Sequence, residues 1–299
     1  MEIISVIPRG YCQGVVRAIK MAQETAMANP GKDVYMLGMI VHNTFVVNAC
    51  KKMGIKFIES PGKTRLELLD EIENGIVIFT AHGVSDEVRK KALAKKLEVV
   101  DATCPYVERT HTLVKSHNGD VIYIGKKNHP EAEGTVNLGP HIYLVSSVDD
   151  VERLDDLSNV MITCQTTLSL LDMRTVMDAC LRKYPNAIMA PEICNATRIR
   201  QEAVMNLHDV DCLIVVGDSR SNNSRQLALI AEKVDIQYSY LIDSALQLQE
   251  YMVQGKERIA VTSGSSTPND LTAQVISILK KYEKTGVFTP AQEVNCQIL

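Results

Sequence analysis

Three times in this chain a short apolar, β-prone run leads to a cysteine and is followed by a helical pattern, and no other feature limits the fold as strongly. Ile3-Ile4-Ser5-Val6-Ile7 passes through Pro8-Arg9-Gly10-Tyr11 to Cys12. Glu98-Val99-Val100-Asp101-Ala102-Thr103 reaches Cys104, and Ala187-Ile188-Met189-Ala190 passes through Pro191-Glu192-Ile193 to Cys194. The cysteines stand 92 and 90 residues apart. Pro105 suits a first helical position, which puts Cys104 in a strand-to-helix turn. Residues 14–22 repeat apolar side chains at helical spacing and stop at Asn29-Pro30-Gly31. Val107, Thr110 and Val114, and later Ala196, Ile199, Ala203 and Leu207, do the same after the other two cysteines. Each thiol is therefore expected just ahead of a helix, where unsatisfied N–H groups and partial positive charge favour a thiolate or an anionic ligand.

The repeat continues beyond the cysteines. A second strand ends in glycine with a polar residue four positions on: Gly38 to His42, Gly125 to His129, Gly217 to Ser221. A third strand ends before Ala81-His82-Gly83, before Cys164-Gln165-Thr166-Thr167, and before Ser263-Gly264-Ser265-Ser266. Helix-start signals follow at Ser85, Ser169 and Thr267-Pro268, and helical stretches are expected over 64–74, 170–183 and 269–282. Strands alternating with helices imply α/β units built on mainly parallel sheets. The expected units are 1–100, with Cys12, His42 and His82; 101–190, with Cys104, His129, Glu131 and Thr166; and 191–284, with Cys194, Ser221, Asn223 and Ser266. Residues 285–299 lack periodicity and are read as a tail. Ligands of open α/β sheets sit beyond the carboxyl ends of the strands, so three such pseudo-repeated units in a ring would turn their polar residues towards a central cavity.

Composition removes several classes of function. The chain has 299 residues with 32 basic and 36 acidic side chains, and its basic runs are short, none beyond the three residues Arg89-Lys90-Lys91, which argues against nucleic acid as a partner. No stretch approaches the roughly 20 apolar residues of a membrane span, and the first residues lack a signal pattern, so a cytoplasmic protein without membrane attachment is expected. Eight cysteines without a CxxC pair fit buried residues or metal ligands better than disulfides or a zinc ribbon.

Three thiols on three units can hold an iron–sulfur cluster, and with three ligands one iron of a four-iron cluster stays open to a substrate oxygen. The plainer alternative is three buried turn cysteines, which the threefold repetition disfavours. Cys50, Cys180, Cys212 and Cys296 fall in helical, strand or tail patterns, and Cys164 at a strand end interrupts the repeat. His42, His82 and His129 stand in post-strand turns and can donate to phosphate. Residues 217–224 form either a phosphate cradle or an ordinary N-cap turn. Glu131, if it faces the cavity, can pass protons directly or through Thr166, whereas Glu133 is expected to be solvated. An iron–sulfur hydro-lyase, a non-catalytic electron carrier and a zinc hydrolase with mixed Cys/His ligands remain open on these residues alone.

In order along nearly the whole chain, Cys12-Gln13-Gly14-Val15, Ile40-Val41-His42-Asn43, Ala81-His82-Gly83-Val84 and Asp101-Ala102-Thr103-Cys104-Pro105 are followed by residues 129–135, Gln165-Thr166-Thr167-Leu168-Ser169, Cys194-Asn195-Ala196-Thr197 and Ser221-Asn222-Asn223-Ser224. This ordered set closely resembles the LytB family of 4-hydroxy-3-methylbut-2-enyl diphosphate reductases. The resemblance implies a trefoil of three α/β domains around a [4Fe–4S] cluster held by Cys12, Cys104 and Cys194. It also implies reductive loss of the substrate hydroxyl, giving isopentenyl and dimethylallyl diphosphate in the last step of the non-mevalonate route. Reduced ferredoxin or flavodoxin would supply the electrons. His42, His82, His129, Ser221, Asn222, Asn223 and Ser266 would line the diphosphate pocket, Thr166 would lie near the substrate hydroxyl, and Glu131 would be the proton donor. Two positions depart from the usual pattern: Asn222 stands where a second serine is common, and Cys164 where threonine is frequent. Some relatives carry C-terminal RNA-binding repeats, which this chain is expected to lack.

Overall fold

The computed structural model describes residues 1–190 and 194–299; Pro191-Glu192-Ile193 of the third strand-to-cysteine turn lies outside the described residues. The chain opens with β1 (Glu2–Ser5), α1 (Gln13–Ala28), β2 (Val34–Leu37), α2 (Thr44–Lys52), β3 (Lys56–Ile58), α3 (Arg65–Leu68), β4 (Ile76–Phe79), α4 (Asp86–Ala94) and β5 (Glu98–Asp101). It continues with α5 (Pro105–Ser116), β6 (Val121–Ile124), α6 (Pro130–Val136), β7 (Ile142–Val145), α7 (Val148–Glu152), β8 (Met161–Cys164), α8 (Leu170–Lys183) and β9 (Ile188–Met189). The last part is α9 (Asn195–Met205), β10 (Cys212–Val216), α10 (Asn222–Lys233), β11 (Tyr238–Ile242), β12 (Arg258–Ser263) and α11 (Asn269–Thr285).

Among the described residues these strands form three four-stranded sheets, ordered β3-β2-β4-β5, β7-β6-β8-β9 and β11-β10-β12-β1, and every pairing is parallel. The three orders are the same order written three times, which makes the internal repeat a repeat of topology. The chain divides into two compact units: Met1–Gln13 with His42–Val46 and Asn195–Leu299 holds the sheet closed by β1, and Gly14–Val41 with Val47–Cys194 holds the other two.

Strand pairing corrects the expected unit boundaries in one respect. β1 does not join the sheet of residues 34–101; it pairs with β12, at the far end of the chain, with Glu2 opposite Arg258 and Ser5 opposite Val261. Each strand leading to a cysteine is thus the edge strand of the sheet made by the preceding repeat, and β1 completes the last one. Each sheet also contains an edge strand absent from the motif pattern, namely β3, β7 or β11. β3 and β11 are mostly exposed or half-buried and lack the continuous apolar run of the central strands, whereas β7 has such a run, Ile142–Val145, but no cysteine or glycine–polar signal after it.

Central strands are buried on both faces, as parallel sheets demand. In β10 the side chains of Cys212, Ile214 and Val216 enter one core with Leu271, Val275 and Leu279 of α11, while Leu213 and Val215 enter another with Val204, Leu227 and Ile230. Ile122, Ile124 and Ile162 pack likewise on Val176, Ala179 and Cys180 of α8, and Leu37, Val77 and Phe79 on Val88 and Ala92 of α4. The 170–183 helix matches its expected span, and α11 runs on to Thr285. The 64–74 stretch is one α-turn continued by a 3-10 turn over Leu69–Glu71. The tail is non-helical yet packed: Gly286 ends α11 in the left-handed conformation, after which Phe288, Ala291, Val294 and Cys296 lie on the α11 core. The rings of Phe288 and Tyr282 meet edge-on at 5.7 Å.

Leu279 is fully buried beneath this packing. Leu279→Ala is expected to cost about 2–5 kcal/mol in chemical denaturation, and Phe288→Ala less because that ring is partly exposed; equal costs would contradict the packing.

Candidate functional site

The three cysteines share one local geometry. Cys104 is the N-cap of α5 with an extended backbone, its N–H donating to the Ala81 carbonyl at 3.0 Å. Cys12 directly precedes α1, and its N–H donates to the Ser265 carbonyl at 3.1 Å. Cys194 directly precedes α9 and is buried. The first two bonds are equivalent, since each ties the cysteine to the loop after the neighbouring strand, β4 or β12. Among the remaining thiols, burial pushes Cys50, Cys180 and Cys296 up to about 11 and Cys212 up to about 12, which keeps them protonated and inert.

In the unit formed by Gly14–Val41 and Val47–Cys194, Glu131 sits in the first turn of α6 and is 2% exposed. Its carboxylate accepts the Thr166 N–H at 2.7 Å and the Thr166 hydroxyl at 2.8 Å. Burial pushes the carboxyl up to about 7, against the opposing pull of the Thr166 bonds and the Tyr123 phenol. Near neutral pH Glu131 is therefore divided between acid and carboxylate, the condition a proton donor and acceptor needs.

His129 is the N-cap of α6, and its Nδ1 accepts the Glu131 N–H at 3.1 Å. That bond keeps Nδ1 unprotonated and assigns the proton of the neutral ring to Nε2. The His82 ring meets His129 edge-on at 5.6 Å, and its Nδ1 lies 3.2 Å from the Thr80 hydroxyl. A Cβ on Gly134 would stand 3.1 Å from the Gly83 carbonyl, so the loop of His82 can approach α6 closely only over glycine. Glu133 is not solvated as expected: it accepts the Arg65 backbone N–H at 2.9 Å and pairs with the buried Arg65 guanidinium at 3.0 Å. A buried cation requires such a partner.

The other unit gathers Cys12, His42, Ser221, Asn222, Asn223 and Ser266. Ser221 caps α10, accepting the Ser224 N–H. The Ser266 hydroxyl donates to the His42 carbonyl at 3.1 Å and lies 3.4 Å from Ser221 Oγ. Asn223 Oδ1 accepts the Ser265 N–H at 2.8 Å, leaving its buried amide NH2 without a partner among the described residues. Asn222, the first residue of α10, is buried beside it. Segment 217–224 thus contains the N-cap turn of α10.

Asp218 is a residue whose role the sequence did not reveal. Its Oδ2 accepts the N–H and the hydroxyl of Thr44 at 3.0 and 2.8 Å, and it pairs with Arg220. Burial pushes this carboxyl up, but the Arg220 and Thr44 bonds outweigh it and hold the group far below the usual carboxylate range. Asp218 thereby pins the start of α2, two residues after His42, to the loop bearing Ser221. Its only sequence signal is its place in the 217–224 segment.

The Glu131 environment has a directly measurable consequence. Infrared difference spectra should show a protonated carboxylic-acid band lost with a midpoint near pH 7 and absent from Glu131→Gln, and Thr166→Val should move the midpoint upward. A midpoint near the ordinary 4.5 would refute the buried geometry. Because the folded value is raised, the contribution of Glu131 to stability falls as pH rises from 4.5 to about 7 and is constant above.

Comparison with known proteins agrees with this arrangement. A family model described as LytB protein matches residues 3–280. The 4-hydroxy-3-methylbut-2-enyl diphosphate reductase of Brevibacillus brevis is 46% identical over 97% of this chain and 94% of its own length. That of Halalkalibacterium halodurans is 44% identical over 99% and 97%. The solved E-1-hydroxy-2-methyl-but-2-enyl-4-diphosphate reductase of Plasmodium falciparum superposes with a TM-score of 0.87 at 31% identity, covering 99% of this chain and 93% of that one. With the family model spanning all three sheets and similarity of this extent, the chain belongs to the LytB family.

Proposed function

We propose that this chain is an iron–sulfur oxidoreductase that removes the hydroxyl of 4-hydroxy-3-methylbut-2-enyl diphosphate, the substrate named in its relatives. Two electrons and two protons are consumed; the C–O bond breaks, the hydroxyl leaves as water, and isopentenyl or dimethylallyl diphosphate is formed. Reduced ferredoxin or flavodoxin donates the electrons. The observation that carries this reading is the buried Glu131 carboxyl, poised near neutral pH and bonded twice to Thr166.

The donor chemistry suits a [4Fe–4S] cluster held by Cys12, Cys104 and Cys194. All three lie at helix starts, whereas Cys50, Cys180, Cys212 and Cys296 are pushed up by burial. When bound, such a cluster supplies an open Lewis-acid iron and a path for electrons.

The chain's own residues supply the rest. The diphosphate is bound by His42, His82, His129, Ser221, Asn222, Asn223 and Ser266, which offer imidazole, hydroxyl and amide donors, with the positive end of α10 beside them. His129 fits this role because its Nε2 carries the donating proton. Thr166 faces the substrate hydroxyl, and Glu131 releases a proton through it or directly. Holding the anion at one end fixes the reacting carbon at the other, which converts binding energy into orientation.

Turnover with dithionite-reduced methyl viologen tests this reading. Glu131→Gln should lower kcat by roughly 10²–10⁴-fold with little change in bound iron and sulfide. The wild-type rate should fall above the Glu131 transition near pH 7, as the acid form is lost. Cys104→Ser protein, purified anaerobically, should lose iron and sulfide. Zinc without sulfide in the wild type, or full activity in Cys104→Ser, would refute the assignment.

A further inference from the structure

The chain carries a net charge of −4, yet one groove on its surface is strongly basic. It has a volume of about 560 Å³ and runs along the carboxyl-terminal half of α11, where Ile276, Lys280, Lys281 and Lys284 fall on one helical face, and Arg9 lines it as well. All three lysines are exposed, and none of the four cations makes an ion pair among the described residues. Glu283, the acid in this stretch, accepts the Ile3 N–H and does not line the groove. The three lysines of α11 repel one another weakly, and Lys284 in the last turn gains from the helix dipole, while Arg9 donates to the Val6 carbonyl at 3.3 Å.

The position of Arg9 gives the groove its meaning. Arg9 is three residues before Cys12, which places their Cα atoms no more than about 11 Å apart. The intervening backbone is held in place: Gly10 donates to Ser263 Oγ at 2.8 Å, Arg200 donates to the Gly10 carbonyl at 2.8 Å, and Cys12 donates to the Ser265 carbonyl at 3.1 Å. A Cβ on Gly10 would collide with the side chain of Asn269, so this strap packs against the first residue of the groove helix.

We propose that this groove is the docking surface for an acidic one-electron carrier protein, seated on Lys280, Lys281, Lys284 and Arg9 with its redox centre facing the Cys12 end. The inference rests on the reductase reading, which requires two electrons per turnover. Each docking event oxidises one reduced carrier by one electron, and two events together with two protons complete one cycle. Charge complementarity of this kind mainly accelerates encounter and fixes orientation, while the apolar Ile276 and the lysine stems supply contact area. A docking site that must release its partner after each electron is well served by screened charges, since these allow fast exchange.

The test compares two reductants on the same holoenzyme. With a reduced ferredoxin of strongly negative charge, the triple variant Lys280→Glu, Lys281→Glu, Lys284→Glu should raise the carrier KM by roughly tenfold or more at low salt. Turnover with dithionite-reduced methyl viologen should be unchanged. The wild type provides a check independent of any variant. Raising ionic strength from about 0.01 M to about 1 M shortens the Debye length from about 30 to about 3 Å, and should raise the carrier KM without a matching effect on methyl viologen. An unchanged carrier KM in the folded variant, or equal salt responses with both reductants, overturns the docking surface. So does a variant that loses binding to RNA or to anionic vesicles while its carrier kinetics stay intact. Absence of methyl viologen turnover in the wild type would instead strike at the reductase reading.

Discussion

Parallel pairing is the constraint on which the rest of this structure depends. A parallel strand cannot be joined to its neighbour by a tight turn, so each sheet needs crossovers, which here run through α2, α3, α4, α6, α7, α8 and α10 and, between β11 and β12, through two 3-10 turns. Within each sheet all carboxyl ends then lie along one edge, and the turns that follow them deliver helix N-termini to the same edge. That is where Cys12, Cys104, His82, His129, Thr166, Ser221 and Ser266 are found. Concentrating unsatisfied N–H groups and partial positive charge there suits thiolates and phosphate oxygens without a large number of cations.

Against that background the pocket of Glu131 is an anion-hostile environment. Burial pushes this carboxyl up, whereas the two bonds from Thr166 pull it down. Their opposition brings the group near 7. The histidine that caps the same helix is fixed by the Glu131 N–H, so a single turn, residues 129–131, sets both an imidazole tautomer and a carboxyl affinity. Asp218 shows the opposite balance. Arg220 and Thr44 outweigh its burial, and the resulting permanent anion serves to bind two loops together.

Much of the local pattern was legible. Cysteine positions, the helices after them and the span of α8 follow from hydrophobic period and turn chemistry, which are properties of neighbouring residues. Several features were not. The pairing of β1 with β12 joins strands some 250 residues apart, and Ile3-Ile4 would suit the edge of any of the three sheets equally well. The edge strands β3 and β11 are largely exposed or half-buried and carry no continuous apolar run, and the apolar run of β7 is followed by none of the repeated motifs. Glu133 looked solvated because its partner Arg65 is distant in sequence, and the tail looked unstructured because it packs without any internal period.

The sequence by itself determined the α/β class, the threefold strand–cysteine–helix repeat and the residue types able to bind a cluster and a diphosphate. These follow from spacing and side-chain chemistry, which survive without knowledge of what touches what. Only the tertiary structure decided which sheet β1 completes, that Asp218 ties the His42 and Ser221 loops, that Glu131 is buried against Thr166, and that Arg9 joins three lysines of α11 in one groove. Each of these depends on contacts between residues far apart in the chain, and burial, which sets both carboxyl affinity and effective charge, does not exist until those contacts form.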